Sequence, residues 1–176
     1  MPVIGNHEQF LIDTDKNNRA MKINWYLNGG GWWEDLSDEE RKLAREIVVI
    51  NYSLSLSVAT LGGIIGVIHA QYPFNKWPVN ETDLNKDVYL ELLWGRDYIK
   101  NNDENFVEGV DFIVSGHTPI SIPRLKCQQL FIDTGCGHQA SAAMHDPHLT
   151  ICEFQKNTIE IYAISERNFA FSHIKI

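Results

Sequence analysis

Pro2-Val3-Ile4-Gly5-Asn6-His7-Glu8 carries a short apolar run into a glycine and then sets an amide oxygen, an imidazole and a carboxylate side by side. This reads as a strand that ends at Gly5 and runs into a polar loop, the glycine permitting the sharp turn that converging ligands need. By itself, Asn beside His also fits a solvated loop or a helix cap. Two later stretches repeat the design. Val67-Ile68-His69-Ala70 and Val114-Ser115-Gly116-His117-Thr118-Pro119 each deliver a histidine at the carboxyl end of an apolar strand. Open α/β sheets assemble active sites in this way, from ligands at the ends of separate strands. The expected class is therefore mixed α/β, or α+β.

The 176 residues fit a single domain, 1–176, and 44% hydrophobic content supplies an ordinary core. A net charge of -8 with 15 dispersed Lys and Arg residues argues against a nucleic-acid partner, which needs a clustered basic face. Cys127, Cys136 and Cys152 are odd in number and lack C-x-x-C spacing, so a reduced, cytoplasmic setting is expected. The longest apolar stretch, 54–70, is broken by Ser55, Ser57, Thr60 and Gly62-Gly63. Neither a membrane span nor a signal peptide is read there.

Along the chain, Glu8 to Asp15 predicts a short helix ending near Asn17-Asn18, and Ile23, Tyr26 and Leu27 the inward stripe of a second one stopped by Gly29-Gly30-Gly31. Such a triplet can cradle a phosphate, but with no Lys-Ser or Lys-Thr after it, the better reading is that it ends a helix and lets Trp32-Trp33 fold back onto the core. Ser37-Asp38-Glu39-Glu40 is a capping box opening a helix with Leu43, Ile47 and Ile50 inward. Residues 54–58 and 64–68 form a hairpin about Gly62-Gly63, its second strand buried on both faces. Tyr72-Pro73-Phe74 and Trp77-Pro78 suggest a lid or cleft wall, and Val88 to Trp94 a helix with Gly95 ending it before Arg96. An arginine there can clamp an oxyanion or serve as a surface ion-pair partner. Asp111 to Val114 is a buried strand, and Pro119 holds the His117 turn in one orientation. Residues 149–154, 158–164 and 169–174 read as an antiparallel meander. His138, His145 and His148 are read as surface histidines.

Gly5-Asn6-His7-Glu8-Gln9, Asn28-Gly29-Gly30, His69-Ala70 with Tyr72-Pro73, Trp94-Gly95-Arg96, Gly116-His117-Thr118-Pro119 and Ile132-Asp133-Thr134-Gly135 occur in one order. The series resembles the calcineurin-like metallophosphoesterases, in particular the small bacterial and phage serine/threonine protein phosphatases of the phosphoprotein phosphatase family. The resemblance implies a β-sandwich flanked by helices and a metal-dependent phosphomonoester hydrolase acting on a phosphoprotein or phosphopeptide. By it, Asn6, His69 and His117 ligate the second metal of a two-metal site, His7 is the general acid, and Arg96 holds two phosphate oxygens. Mixed oxygen and nitrogen ligation suits Mn²⁺, with Fe and Zn as alternatives. A cation pair roughly 3.5–4 Å apart activates the attacking water and offsets charge on the transferring group.

The departures carry equal weight. The family's Gly-Asp-x-His-Gly and Gly-Asp-x-x-Asp-Arg-Gly motifs occur nowhere in the chain, and Ile4 stands where many relatives place an arginine. The nearest acids, Asp13, Asp15, Asp35 and Asp38, sit in helical or capping contexts and are not expected to substitute. The resemblance therefore implies the carboxyl-terminal portion of a phosphatase domain, lacking its amino-terminal strands and binding at most one cation. Exposed edges near Val3-Ile4 and Ile64–Ile68 would favour self-association or pairing with a separate amino-terminal fragment. The alternatives are a catalytically inactive remnant acting as a binding module and, as substrate, a dinucleoside polyphosphate.

Overall fold

In the computed structural model, which describes residues 1–14, 19–101, 104–142, 144–166 and 168–176, the chain is mixed α/β and divides into two compact units, Met1–Leu54 and Ser55–Ile176.

The first unit is helical. Pro2-Val3-Ile4 makes only a single bridge, Val3 beside Ser53, and Asn6–Asp13 is helix α1. The expected strand and polar loop are thus corrected to a bridge followed by a helix. The cause is Glu8, whose carboxylate accepts the Gly5 N–H at 2.8 Å and occupies one of the donors a helix start leaves open. The predicted helix end near Asn17-Asn18 lies outside the described residues. Helix α2, Arg19–Leu27, ends at Gly29 in the left-handed region (φ 95°), and a 3₁₀ turn, Gly30–Asp35, follows. Helix α3, Asp38–Asn51, opens on the expected capping box: Ser37 Oγ accepts from Glu40 N–H, and the Glu40 carboxylate accepts from Ser37 N–H.

The inward faces of α2 and α3 differ from the periodicity reading. Trp25 and Val48 are the buried residues, whereas Ile23, Tyr26, Leu27, Leu43, Ile47 and Ile50 are exposed. An aromatic core takes precedence. Phe10 stacks on Trp25 at 6.3 Å, and Trp25 meets Trp33 at 5.4 Å. Arg45 lies over Trp33, 5.0 Å from the ring centroid, and its Nε donates to the Leu11 carbonyl at 3.3 Å. Gly30 lets the turn close on that core, because a Cβ there would stand 2.6 Å from the Trp25 ring.

The second unit is a two-sheet sandwich. Strands β1 (Leu56–Thr60), β2 (Gly63–Val67), β3 (Phe112–Ser115), β4 (Arg124–Lys126) and β5 (Gln129–Phe131) form one sheet in the order β1-β2-β3-β5-β4. Its three middle strands are parallel and its two outer pairings antiparallel. Strands β6 (Leu149–Phe154), β7 (Thr158–Ile164) and β8 (Phe169–Lys175) form the expected antiparallel meander. The sheets meet through Ile65, Val114 and Leu130 on one side and Phe154, Ile159 and Ile161 on the other. Against the opposite face of the larger sheet lie Tyr98 and Ile99 of helix α5 (Asp97–Lys100), packed on Phe131. Helix α4, Lys86–Trp94, buries Leu92 and Leu93 completely.

Three expectations change here. Ile64–Ile68 is not an exposed edge: the hairpin partner β1 covers one side of β2 and β3 the other, which leaves β1 and β4 as the edges. Nor is β2 buried on both faces throughout, since Ile64 is exposed. The Tyr72–Pro78 segment is no lid. Tyr72 and Trp77 are buried against each other at 4.9 Å, Trp77 Nε1 donates to Ser57 Oγ at 2.8 Å, and the Trp77 ring covers Gly66, where a Cβ would meet it at 2.8 Å. Two large aromatic surfaces lower the free energy more when they close a core than when they line open water. Strand β4 went unread because three residues are too few to show a period.

Candidate functional site

Pairing between β2 and β3 continues past the named ends of both strands. Ile68 N–H donates to the Val114 carbonyl at 3.1 Å, and Gly116 N–H donates to the His69 carbonyl at 2.9 Å. This register sets His69 and His117 side by side at the carboxyl ends of adjacent parallel strands, the position where open α/β sheets place ligands. Ala70 N–H then donates to the Leu92 carbonyl at 3.0 Å, fixing the exit of the first histidine against α4.

His117 is buried and held in the left-handed region at φ 66°, with Thr118 N–H returning to the Gly116 carbonyl at 2.8 Å. A non-glycine residue in that conformation costs free energy that the surrounding structure must outweigh, and such residues cluster at functional sites. The turn aims the ring at His69: Nε2 of His69 lies 3.1 Å from Nδ1 of His117. The ring centroids are 4.9 Å apart, and the Trp94 ring meets His117 edge-on at 5.8 Å. Trp94 and Asp133 stand in the ordered series of motifs, where spacing alone marks no role for either. Asp133 follows β5, the third parallel strand. Its carbonyl accepts from Ile120 N–H at 2.9 Å and its carboxylate from Gly135 N–H at 3.0 Å, so it braces the turns after β3 and β5.

The separation of the two imidazole nitrogens limits their chemistry. At ~2.0–2.1 Å from a shared cation, two nitrogens subtending an octahedral or tetrahedral angle stand ~2.9–3.4 Å apart, so this pair fits as two ligands of one ion. The same distance suits one N–H···N hydrogen bond between neutral rings. Among the described residues no three His, Cys, Asp or Glu side chains form a metal-holding group.

Arg96 occupies the junction between α4 and α5, half-buried, and its guanidinium has no hydrogen bond or ion pair among the described residues. Asn6 and His7 belong to the first unit. Asn6 is buried at the first position of α1, and the next residue, His7, is exposed with its ring edge-on to Phe10 at 6.0 Å. His138 and His145 are exposed and His148 half-buried. All three line a cavity of about 680 Å³ with Cys136, Asp146 and Glu166.

No family model matches the chain. Curated relatives do: it is 27% identical over 139 residues to serine/threonine-protein phosphatase 2 of Salmonella typhimurium, covering 76% of this chain and 61% of the relative. Serine/threonine-protein phosphatase 2 of Escherichia coli is 25% identical over 138 residues, again 76% of this chain and 61% of the relative. Serine/threonine-protein phosphatase 1 of Salmonella typhimurium is 28% identical over 137 residues, 76% of this chain and 59% of the relative. Over about three quarters of its length the chain is similar to these bacterial serine/threonine-protein phosphatases. It spans about three fifths of the length of the curated relatives it matches. Among solved structures, the chain is similar to vacuolar protein sorting 29 of Cryptosporidium parvum (20% identity, 71% of this chain and 58% of that one, TM-score 0.36). It is also similar to a single mutant of Vps29 from Entamoeba histolytica (14% identity, 80% of this chain and 78% of that one, TM-score 0.37).

Proposed function

We propose that this chain serves metal-dependent hydrolysis of phosphomonoesters of the serine/threonine phosphoprotein class. The observation that carries the reading is the His69–His117 pair, two imidazole nitrogens 3.1 Å apart at neighbouring strand ends in a chain whose curated relatives are named protein phosphatases. In this reading residues 1–176 act as one phosphoesterase domain. His69 and His117 would hold one divalent cation, and oxygen donors completing a mixed shell would favour Mn²⁺. When bound, such a cation supplies Lewis-acid polarisation of a phosphoryl oxygen and lowers the pKa of a coordinated water.

The chain's own residues would do the rest. Arg96 has a planar fork that matches two phosphate oxygens and would orient the ester. His7, exposed at the second position of helix α1, would give its proton to the departing serine or threonine oxygen, which is too basic to leave unprotonated. The three cysteines are free, which suits a reduced cytoplasmic setting. No helix among the described residues is long and apolar enough to cross a membrane.

The test is calorimetric titration with Mn²⁺ beside hydrolysis of p-nitrophenyl phosphate and a phosphoserine peptide. Both are run on the chain alone and after fusion to the part of a curated relative outside the match. We expect one weak metal event in the chain alone, lost in His117→Ala, with hydrolysis rising in the fusion. There His7→Asn should lower turnover about 10²–10⁴-fold with metal content kept, and Arg96→Ala should mainly raise KM. Two tight metal sites in the chain alone, or a fully active His7→Asn fusion, would overturn the reading. A second reading, a non-catalytic binding module, is favoured by the lack of any three-residue ligand group among the described residues. It predicts no hydrolysis in either form.

A further inference from the structure

A solvated antiparallel sheet ordinarily alternates apolar residues toward the core with polar residues toward water. The β6-β7-β8 sheet departs from this rule over half its length. Its inner face contributes Phe154, Ile159 and Ile161 to the core. On the outer face the register aligns two apolar rows, Leu149-Ile164-Phe169 and Ile151-Tyr162-Phe171. Phe169 is 62% and Phe171 53% exposed, and Leu149, Ile151 and Ile164 are exposed by 40–46%. The Tyr162 ring lies 5.3 Å from Phe171 and 6.3 Å from Phe169, which makes the patch continuous.

The next row is polar: Glu153, Glu160 and His173, with Lys175 opposite Thr158 beyond it. Glu153 and Glu160 stand directly across from each other, an unfavourable like-charge pairing on a sheet. Both accept from the Tyr162 hydroxyl, at 3.4 and 2.7 Å, and no lysine or arginine pairs with either among the described residues. The bond to Glu160 pushes the Tyr162 phenol up to about 12.

We infer that this face docks an amphipathic helix of a partner protein, its apolar stripe laid on the two rows and its Lys or Arg rim beside Glu153 and Glu160. The dimensions suit that occupant. Three strands at ~4.8 Å spacing span about 14 Å, against the ~10–12 Å diameter of one α-helix. With large side chains carrying roughly 150–250 Å² when open, the exposed fractions leave about 500 Å² of apolar surface. A standard stable interface takes about 800 Å² per partner, so a second copy would be underserved, and it would bring another Glu153–Glu160 pair and another net charge of -8. A basic helix supplies the cationic partners that Glu153 and Glu160 lack among the described residues. The inference is independent of catalysis.

The test uses a fluorescein-labelled 18-residue peptide of Leu and Lys at helical spacing, followed by anisotropy at several salt concentrations. A scrambled peptide of the same composition is the control. The helical peptide should bind the full chain, weaken with salt, and exceed the scramble. Phe169→Ser with Phe171→Ser should lower affinity at least about tenfold while Tm holds. Glu153→Gln with Glu160→Gln should lower it several-fold and flatten the salt slope, an arm that stands even if the Phe variant fails to fold. Equal binding of the scramble, or affinity unchanged by both paired variants, overturns the inference. So does a mass that doubles with concentration, grows with salt, and reverts in the Phe variant without peptide binding, because a second copy is then the occupant.

Discussion

The two units bury their apolar residues by different rules. In Ser55–Ile176, sheet packs on sheet and helix on sheet, and the branched residues of the strands meet partners of their own kind: Leu130 is 0% exposed. In Met1–Leu54, tryptophans hold the core, with Arg41 and Arg45 over Trp33, and the aliphatic stripe of α3 faces water, with Ile50 75% exposed. The difference teaches that periodicity identifies which residues favour burial, whereas burial itself requires a partner surface. The sharpest test compares one residue from each side. Leu130→Ala should cost about 2–5 kcal/mol, because it leaves a cavity between closed sheets. Ile50→Ala should stay within about 0.5 kcal/mol. Urea denaturation measures both. A loss at Ile50 equal to that at Leu130 would mean the α3 stripe is covered and the contrast between the units is false.

That contrast explains what was legible in the sequence. The hairpin 54–68, the strand into His117 and the terminal meander were readable because their partners lie within the same unit and period two has only two faces to choose between. The stripes of α2 and α3 were misread because three-and-four spacing marks a face without naming its neighbour; Trp25 and Trp33, outside the expected stripes, won by size. At the site, His69 and His117 were legible as strand-end histidines. Their mutual approach depends on a parallel register and a positive φ at His117, and neither leaves a mark on composition or periodicity. The Gly5-Asn6-His7-Glu8 stretch was read as a loop because the apolar run before it suggested a strand. The reach of Glu8 back to Gly5 made it a helix start.

Glycine substitutions sharpen the comparison from the other side, since one tryptophan closes on a glycine in each unit. A Cβ at Gly66 would stand 2.8 Å from the Trp77 ring, and one at Gly30 2.6 Å from Trp25. Neither ring can retreat without disturbing a buried cluster, so Gly66→Ala and Gly30→Ala should each cost about 1–3 kcal/mol. Gly31→Ala meets only the Tyr26 ring at 3.8 Å and should be near neutral. Thermal melts of the three variants decide this. If Gly30→Ala is as mild as Gly31→Ala, the tryptophan core of the first unit is looser than that of the second.

The smallest expected effect separates the units by pH. Glu40, in the first unit, is held below the usual carboxylate range chiefly by the Ser37 backbone N–H it accepts. A lowered folded value adds stability above the unfolded pKa of 4.5 that is lost as pH falls through the folded value, so acid should loosen the start of α3. The second unit responds at the opposite end. Burial pushes Cys152 up from 9.0 to about 11, and burial pushes Tyr72 up from 10.0 to about 12, with Asp83 adding to the effect. Raised folded values favour the protonated groups: their contribution is complete below pH 9 for Cys152 and below pH 10 for Tyr72. It is lost as pH rises to 11 and to 12 respectively. Tyr72→Phe should therefore flatten the fall in urea midpoint between pH 10 and 12, after a constant loss at neutral pH from the missing hydroxyl bond to the Lys76 carbonyl at 2.6 Å. Near-ultraviolet circular dichroism at each pH reads the tyrosine environment directly. An alkaline fall that is as steep in Tyr72→Phe as in the native chain would remove Tyr72 as its source and leave Cys152 and Tyr162, testable by Cys152→Ser and Tyr162→Phe.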